Sequence, residues 1–295
     1  MERIAFIINP KSGRGNKDLL VNKIQKLASD LDFKFEAYFT QEAGHATDLA
    51  NNLVDKYDSI VAVGGDGTVN EIAQGLLGSE TPLGILPSGS GNGLSRHLRI
   101  PMNNSKALKS LINGKTVNID TWLADEVPFF MLCGFGFDAH IAQKVSGLKS
   151  RGPQVYFRLV TKEFMRFQPK KISIVWDGGS YSGKPFLVNL ANGSQFGNNF
   201  KIAPEASIND GYLDLGIIEK LPIYLIPEII LRMRNGTLNN FKYYKTFRAK
   251  QFLLHTDYQG MNIDGEFRTC DQEIMIKLSS EKLKVIIPKG KEAFI

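Results

Sequence analysis

The chain has 295 residues, of which 43% are hydrophobic and 22% charged, and this composition excludes a disordered protein. Its length suits one large domain or two ordinary ones, and its formal net charge of +6 fits an anionic membrane, a nucleotide or a nucleic acid. Two cysteines without a CxxC spacing argue against a zinc site and a disulfide framework. Neither a signal peptide nor a run of roughly 18 apolar residues is found, so the sequence predicts a cytoplasmic protein.

The first third of the chain alternates strand and helix patterns. Buried or half-buried strands are predicted at 4–8, 33–39, 60–63 and 83–86. Helical spacing of apolar residues predicts helices at 20–31, 46–54, 69–77 and 107–112. Repeated βα units predict a doubly wound α/β domain, with a parallel sheet covered by helices, over residues 1–121.

After about Thr121 the pattern changes to successive strands separated by turn residues. Strands are predicted at 171–176, 185–190, 212–217, 243–248, 251–255, 273–278 and 283–287. Helices are predicted at 155–167 and 223–233. Such a series of strands is typical of a β-sandwich or a barrel.

Three glycine-rich segments follow predicted strands of the first domain, at 9–15, 64–68 and 86–93. One such loop alone is most often a tight turn that needs positive φ. Three at equivalent strand ends instead favour a bound nucleotide or another polyanion, because backbone N–H groups can approach phosphate oxygens there. The sequence contains no GxxxxGK[ST] P-loop. A carboxylate beside phosphates needs an intervening cation, so Asp66 predicts a bound Mg²⁺.

The segment Gly64-Gly65-Asp66-Gly67-Thr68 resembles the diacylglycerol kinase catalytic domain, whose superfamily includes sphingosine kinases and bacterial soluble lipid kinases. NAD kinases share this motif, but further segments are similar to the lipid kinase family, in its order, at 9–13, 84–92, 134–139, 192–193, 204, 209–214 and 264–266. Ser90 replaces the usual Thr and Gly93-Leu94 the usual Asp-Phe, which resembles the sphingoid-base kinases. The lipid acceptor therefore stays open between diacylglycerol and a sphingoid base.

The resemblance implies an ATP-dependent lipid kinase with a nucleotide-binding domain at 1–121 and a β-sandwich lipid domain at 122–282, with the active site in the cleft. A last strand within 283–295 would return to the first domain. The implied nucleotide-binding residues are Asn9, Ser12, Thr40, Gly64, Gly65, Gly67, Thr68, Ser88, Gly89, Ser90 and Asn92.

The resemblance also implies the catalytic and metal-binding residues. Glu266 would be the general base, and Asp66 would act near the phosphates and a catalytic Mg²⁺. Asp210 would bind a second, structural Mg²⁺ with the carbonyls of Ser207 and Tyr212. Asp264 would join Asp66 and Asp210 in a network through water or metal. Taken alone, without the other motifs, Asp264-Gly265-Glu266 is better explained as a plain β-turn.

The expected partners are ATP, a membrane lipid and an anionic membrane surface, without nucleic acid; the resemblance also allows a homodimer. Basic residues are concentrated at 144–171, where Glu163 is the one acid, and at 232–250, where there is none. Such runs are most often solvated faces, but those at 144–171 would also suit anionic headgroups. Phe157, Phe164 and Phe167 are core residues or contacts for an acyl chain. Two alternatives remain: an NAD kinase, and a non-catalytic module that binds a nucleotide or a membrane.

Overall fold

The computed structural model describes residues 2–13, 17–146 and 153–291, with residues 17–18 and 153–157 described by their backbone alone. The predictions made for Gly15, Lys149, Arg151, the side chain of Phe157 and residues 292–295 lie outside this description. The chain divides into two compact units, one formed by residues 1–119 and 280–295 and the other by residues 120–279.

The first unit is an α/β fold, as predicted. Its elements are β1 (Arg3–Ile8), α1 (Lys17–Leu31), β2 (Lys34–Phe39), α2 (His45–Leu53), β3 (Ser59–Gly64), α3 (Asp66–Gly75), β4 (Leu83–Pro87), α4 (Gly93–His97), α5 (Asn104–Ile112), β5 (Lys115–Ile119) and, from the end of the chain, β18 (Leu283–Ile287). They form one sheet in the order β2-β1-β3-β4-β18-β5. The strands β2, β1, β3 and β4 run parallel, and β18 pairs antiparallel with β5.

Burial explains why these segments form a central sheet. Every residue of β3 and β4, and all of β1 except Arg3, is buried, as expected of parallel strands covered on both faces. The helix α4 was not predicted from the sequence, because its five residues are too few to show a periodic apolar stripe.

The second unit is a β-sandwich that also carries helices. Its elements are β6 (Trp122–Ala124), β7 (Val127–Phe129), β8 (Leu132–Gly136), α6 (Phe137–Ser146), α7 (Pro153–Arg166), β9 (Ile172–Trp176), β10 (Gly179–Gly183), β11 (Leu187–Ala191), β12 (Leu213–Ile218), α8 (Ile226–Asn235), β13 (Tyr244–Ala249), β14 (Gln251–Thr256), β15 (Gly260–Ile263), β16 (Glu266–Thr269) and β17 (Glu273–Leu278). The two sheets run β10-β9-β14-β17-β6-β7 and β13-β12-β11-β8-β15-β16.

One apolar core joins the two sheets of the second unit. It includes Trp122, Phe252 and Ile274 from the first sheet, and Phe135 and Leu190 from the second. Because both sheets contribute their inner faces to one core, the fold is a sandwich rather than a barrel.

Besides α4, several elements are missing from the sequence-based prediction: β5, β6, β7, β8, β10, β15, β16 and α6. The strand after the turn at 177–179 is β10, which pairs with β9, whereas the predicted strand at 185–190 is β11 in the other sheet. The sequence of β10, Gly-Ser-Tyr-Ser-Gly, lacks the apolar alternation that would reveal a strand.

Phe164 and Phe167 belong to an aromatic cluster with Phe137 and Phe186, which favours the core-packing interpretation for these two rings.

Candidate functional site

Four neighbouring strand ends in the first unit carry the residues predicted to bind a nucleotide. Thr40, Asn9, Gly65 and Ser88 directly follow β2, β1, β3 and β4. Because these strands are parallel and adjacent, their carboxyl ends meet along one edge of the sheet. The sheet hydrogen bonding continues into the loops, since the backbone N–H of Asn9 donates to the Val63 carbonyl at 3.0 Å.

Asn9 connects the first glycine-rich loop to the second. Its Nδ2 donates to Thr68 Oγ1 at 3.0 Å, and its Oδ1 accepts the backbone N–H of Lys11 at 2.9 Å. The Ser12 hydroxyl donates to the Asn9 carbonyl at 2.9 Å. Both ends of the Asn9 side chain are therefore used to fix the loop that follows β1.

The second and third loops touch through glycine backbone. A Cβ atom at Gly89 would lie only 2.6 Å from the Cα of Gly65, a distance at which the backbone must move. Gly13, with φ of +67°, approaches the third loop in the same way, since its Cβ would lie 2.6 Å from the Ser88 carbonyl oxygen. Without side chains at these contacts, the three loops pack backbone to backbone.

Asp66 fixes the third loop through its carboxylate. It is the first residue of α3, and its two oxygens accept the backbone N–H groups of Asn92 at 2.8 Å and Gly93 at 2.6 Å. Asn92 has a left-handed φ of 53°, and its side chain exchanges two hydrogen bonds with the backbone of Gly89. A carboxylate has about four acceptor positions, so Asp66 keeps lone pairs for a further ligand.

The predicted nucleotide-binding residues thus lie at these four strand ends or on the segments that follow them. The set comprises Asn9, Ser12, Thr40, Gly64, Gly65, Gly67, Thr68, Ser88, Gly89, Ser90 and Asn92.

In the second unit, Asp264 and Gly265 form the two-residue turn of the β15–β16 hairpin. Their φ angles are 49° and 96°, the positive values that tight hairpin turns favour, so the turn interpretation describes this backbone. The Asp264 carboxylate does more than close the turn. It accepts the backbone N–H groups of Phe130, Met131 and Leu132 at 2.8 to 2.9 Å.

A second chain of hydrogen bonds holds the same hairpin from the other side. The backbone N–H of Gly265 donates to Asn262 Oδ1 at 2.9 Å, and Asn262 Nδ2 donates to Asp138 Oδ2 at 2.9 Å. Burial raises the pKa of Asp138 to about 6, against the opposing effect of the Asn262 hydrogen bond. Sequence reasoning missed Asn262; a lone polar residue between Met261 and Ile263, just before the Asp-Gly turn, was the available signal.

Glu266 is the first residue of β16 and is exposed. Its Oε2 lies 3.5 Å from Arg268 Nη2, and both side chains are about half exposed. Surface ion pairs of this kind contribute little to stability, so the carboxylate is free to meet a ligand.

Asp210 has protein partners on both carboxylate oxygens. Oδ1 accepts the backbone N–H of Tyr212 at 2.9 Å, and Oδ2 forms an ion pair with Arg248. The Arg248 guanidinium also lies 5.0 Å from the centre of the Tyr212 ring. One carboxylate and the carbonyls of Ser207 and Tyr212 are oxygen ligands of the kind Mg²⁺ takes, so the donor types fit. A metal there would share Asp210 with Arg248.

The described residues contain no group of three or more His, Cys, Asp or Glu side chains placed to hold a metal ion. The network of Asp66, Asp210 and Asp264 therefore stays a prediction. Within the same described ranges, no helix combines the length and the hydropathy needed to cross a bilayer.

Comparisons with known proteins agree with the motifs. Residues 3–124 match the model of the diacylglycerol kinase catalytic domain, and residues 132–287 match that of the YegS C-terminal NAD kinase beta sandwich-like domain. A protein of Bacillus subtilis strain 168 named diacylglycerol kinase is 32% identical, over 96% of this chain and 98% of its own. The chain belongs to the diacylglycerol kinase family. The resemblance inferred from the sequence motifs is thus confirmed.

Further relatives agree with membership of the diacylglycerol kinase family. A diacylglycerol kinase of Staphylococcus saprophyticus is 30% identical over 90% of this chain and 89% of its own. The crystal structure of a diacylglycerol kinase from Bacillus anthracis strain Sterne has a TM-score of 0.76, with 23% identity, and covers all of this chain and 98% of its own. An NAD kinase from Archaeoglobus fulgidus, in complex with ATP, has a TM-score of 0.56, with 16% identity, over 97% and 94% of the two chains. These two likenesses show a shared fold.

Proposed function

We propose that this protein is an ATP-dependent lipid kinase, which transfers the γ-phosphoryl group of ATP to a hydroxyl of a membrane lipid such as diacylglycerol or a sphingoid base. The observation that carries the proposal is the set of three loops at the ends of β1, β3 and β4, packed backbone to backbone with Asp66 bonded to the third. Membership of the diacylglycerol kinase family supports it.

The loops would hold the triphosphate. The glycines of the loops would let backbone N–H groups face phosphate oxygens, and the N-terminus of the ten-residue helix α3 adds favourable partial charge. Asn9 and Thr68, which bond to each other, would border the nucleotide together with Thr40. Such positioning supplies most of the catalysis in phosphoryl transfer, because the protein has little covalent chemistry to perform.

The transfer would use Glu266 as general base. Its carboxylate accepts the proton of the lipid hydroxyl while the lipid oxygen bonds to the γ-phosphorus. The bond from that phosphorus to the bridging oxygen breaks, and ADP leaves with that oxygen. Asp66 would hold a Mg²⁺, which when bound neutralises phosphate charge, and Asp210 with the carbonyls of Ser207 and Tyr212 would hold a structural one.

The test is phosphate transfer from radiolabelled ATP, with Mg²⁺, to a panel of diacylglycerol, a sphingoid base and NAD. We expect a labelled lipid and unlabelled NAD. Label on NAD alone would make the protein an NAD kinase, and label on no acceptor would favour a non-catalytic module.

Glu266→Gln tests the base. A positioned base contributes about 10²–10⁴-fold, so the variant should lose about that factor in kcat while its affinity for ATP stays unchanged. Arg268→Gln is the matched control, because it removes the exposed partner of Glu266 and leaves the carboxylate. Full activity in Glu266→Gln would refute the assignment of the base.

A further inference from the structure

One segment of the second unit holds an excess of positive charge equal to that of the entire chain. Residues 220–250 contain seven basic residues and one acidic residue, a net of +6, and the rest of the sequence is balanced. The basic residues are Lys220, Arg232, Arg234, Lys242, Lys245, Arg248 and Lys250. The acid, Glu228, is paired with Arg232 at 2.7 Å, and acids outside the segment, Glu219 and Asp210, pair with Lys245 and Arg248.

The same segment exposes large apolar side chains. Tyr224, Leu231 and Ile223 are 74%, 59% and 49% exposed, at and just before α8. No residue of α8 is buried, although five of its ten residues are Ile, Leu or Met. Its helically spaced Ile226, Ile229, Ile230 and Met233 are only half-buried and Leu231 is exposed, so α8 is incompletely covered for a surface helix with an apolar stripe.

Several cations of the segment lie over aromatic rings. Arg232 lies 5.6 Å from the ring centre of Phe241, Arg234 6.0 Å from that of Phe200, and Lys242 4.8 Å from that of Tyr243. These contacts hold positive charge beside the exposed apolar residues. A basic surface with Tyr and Leu at its tip has the composition of elements that lie in the interface of a membrane.

We propose that α8 and the turn before it, residues 223–235, dock this protein on an anionic bilayer. Tyr224 and Leu231 enter the headgroup region, while the neighbouring Arg and Lys side chains bind lipid phosphates. A second copy of the chain fits this surface poorly, because a symmetric contact would bring the cations of two copies together, among them Arg234 and Lys242. The inference rests on the proposed function in that the lipid acceptor resides in the membrane.

The experiment is co-sedimentation with vesicles of phosphatidylcholine, with and without phosphatidylglycerol, in the absence of nucleotide. We expect binding only to the anionic vesicles, and weaker binding at high salt because the charges are exposed. The double variant Tyr224→Ser/Leu231→Ser should lower the partition coefficient at least about tenfold, since partial insertion of two apolar side chains is lost. Lys242→Gln should lower it roughly fivefold, as expected for one basic residue near the surface.

Val175→Ser/Met275→Ser is the matched control. It also removes two exposed apolar side chains, which are 49% and 38% exposed. They lie on β9 and β17, in the sheet that does not contain β13 of the basic segment. It should bind the anionic vesicles as the wild type does. Phosphorylation of a water-soluble short-chain lipid should be unchanged in all these variants, so a failure of docking is distinguishable from a failure of the kinase.

Two results would overturn the inference. One is wild-type binding to anionic vesicles by the Tyr224→Ser/Leu231→Ser variant. The other is a dimer of the wild type, measured by light scattering, together with a monomeric Tyr224→Ser/Leu231→Ser variant whose binding to vesicles is unchanged. A second copy of the chain would then cover α8.

Discussion

Three carboxylates shape the two loops that carry the proposed chemistry. Asp66 and Asp264 accept only backbone N–H groups in their described hydrogen bonds, and Asp138 accepts from the Asn262 amide. Ionised carboxylates are acceptors only, so they suit positions where several N–H groups converge. At Asp138, desolvation disfavours the ionised form of the carboxylate and raises its pKa.

The raised pKa of Asp138 should make the free energy of unfolding depend on pH. Its pKa in the folded state, about 6, lies above its ordinary value, so the folded protein binds the proton more tightly than the unfolded chain. The stabilisation that follows is complete below about pH 4 and is lost as pH rises to about 6. Asp138→Asn cannot ionise, and its Oδ1 can still accept from Asn262.

Relative to the wild type, Asp138→Asn should therefore gain roughly 1–3 kcal/mol in the free energy of unfolding between pH 4 and pH 7. Urea unfolding at a series of pH values measures this difference. Gln251→Ala, an exposed neutral substitution, should show a constant difference from the wild type across the same range. A pH-independent difference for Asp138→Asn would show that Asp138 titrates at its ordinary pKa.

At the scale of elements, the glycine-rich loops work as one unit because they touch through backbone. A side chain at Gly89 has no flexible neighbour to displace, since its Cβ would meet the Cα of Gly65 at 2.6 Å. The second loop and the third would have to separate, and the N–H groups proposed to bind phosphate would lose their alignment. Catalytic sites of this kind tolerate only displacements of well under 1 Å.

Gly89→Ala should accordingly weaken ATP binding at least about tenfold, while the second unit keeps its stability. Calorimetric titration with ATP measures the affinity, and thermal unfolding checks the fold. Ser90→Thr, which enlarges the adjacent, exposed residue and keeps its hydroxyl, should bind ATP like the wild type. Equal affinity in Gly89→Ala and Ser90→Thr would mean that the loops tolerate separation.

Local patterns predicted much of this architecture, because βα units and strand-end glycine loops are local in sequence. The helices α1, α2, α3 and α5 follow from periodicity, and the succession of strands indicates a sandwich or a barrel, between which the family resemblance decides. Contacts across long separations could not be derived. Asn262 and Asp138 meet only because β15 pairs with β8, which places residues 124 positions apart within hydrogen-bonding distance. The short helix α4 has too few residues to show a period, and β10 lacks an apolar alternation.

At the scale of the whole molecule, the first unit is made from two separate parts of the chain. The strand β18 lies between β4 and β5, and its Leu283, Val285 and Ile287 are fully buried. In the described ranges β18 is the only partner of β5. Burying three such side chains contributes about 5 kcal/mol or more, which is comparable with the total stability of a domain.

A fragment of residues 1–119 should therefore fail to fold, whereas residues 120–279, which are continuous and contain their own core, should fold alone. Circular dichroism and cooperative thermal unfolding test both fragments. Ile119 pairs directly with Leu283 in the antiparallel β5–β18 ladder, so a two-residue Asn-Gly turn can join position 119 to position 283. That joined chain, ending at residue 291, should recover cooperative unfolding. If the fragment 1–119 unfolds cooperatively without β18, the returning strand is dispensable for the first unit.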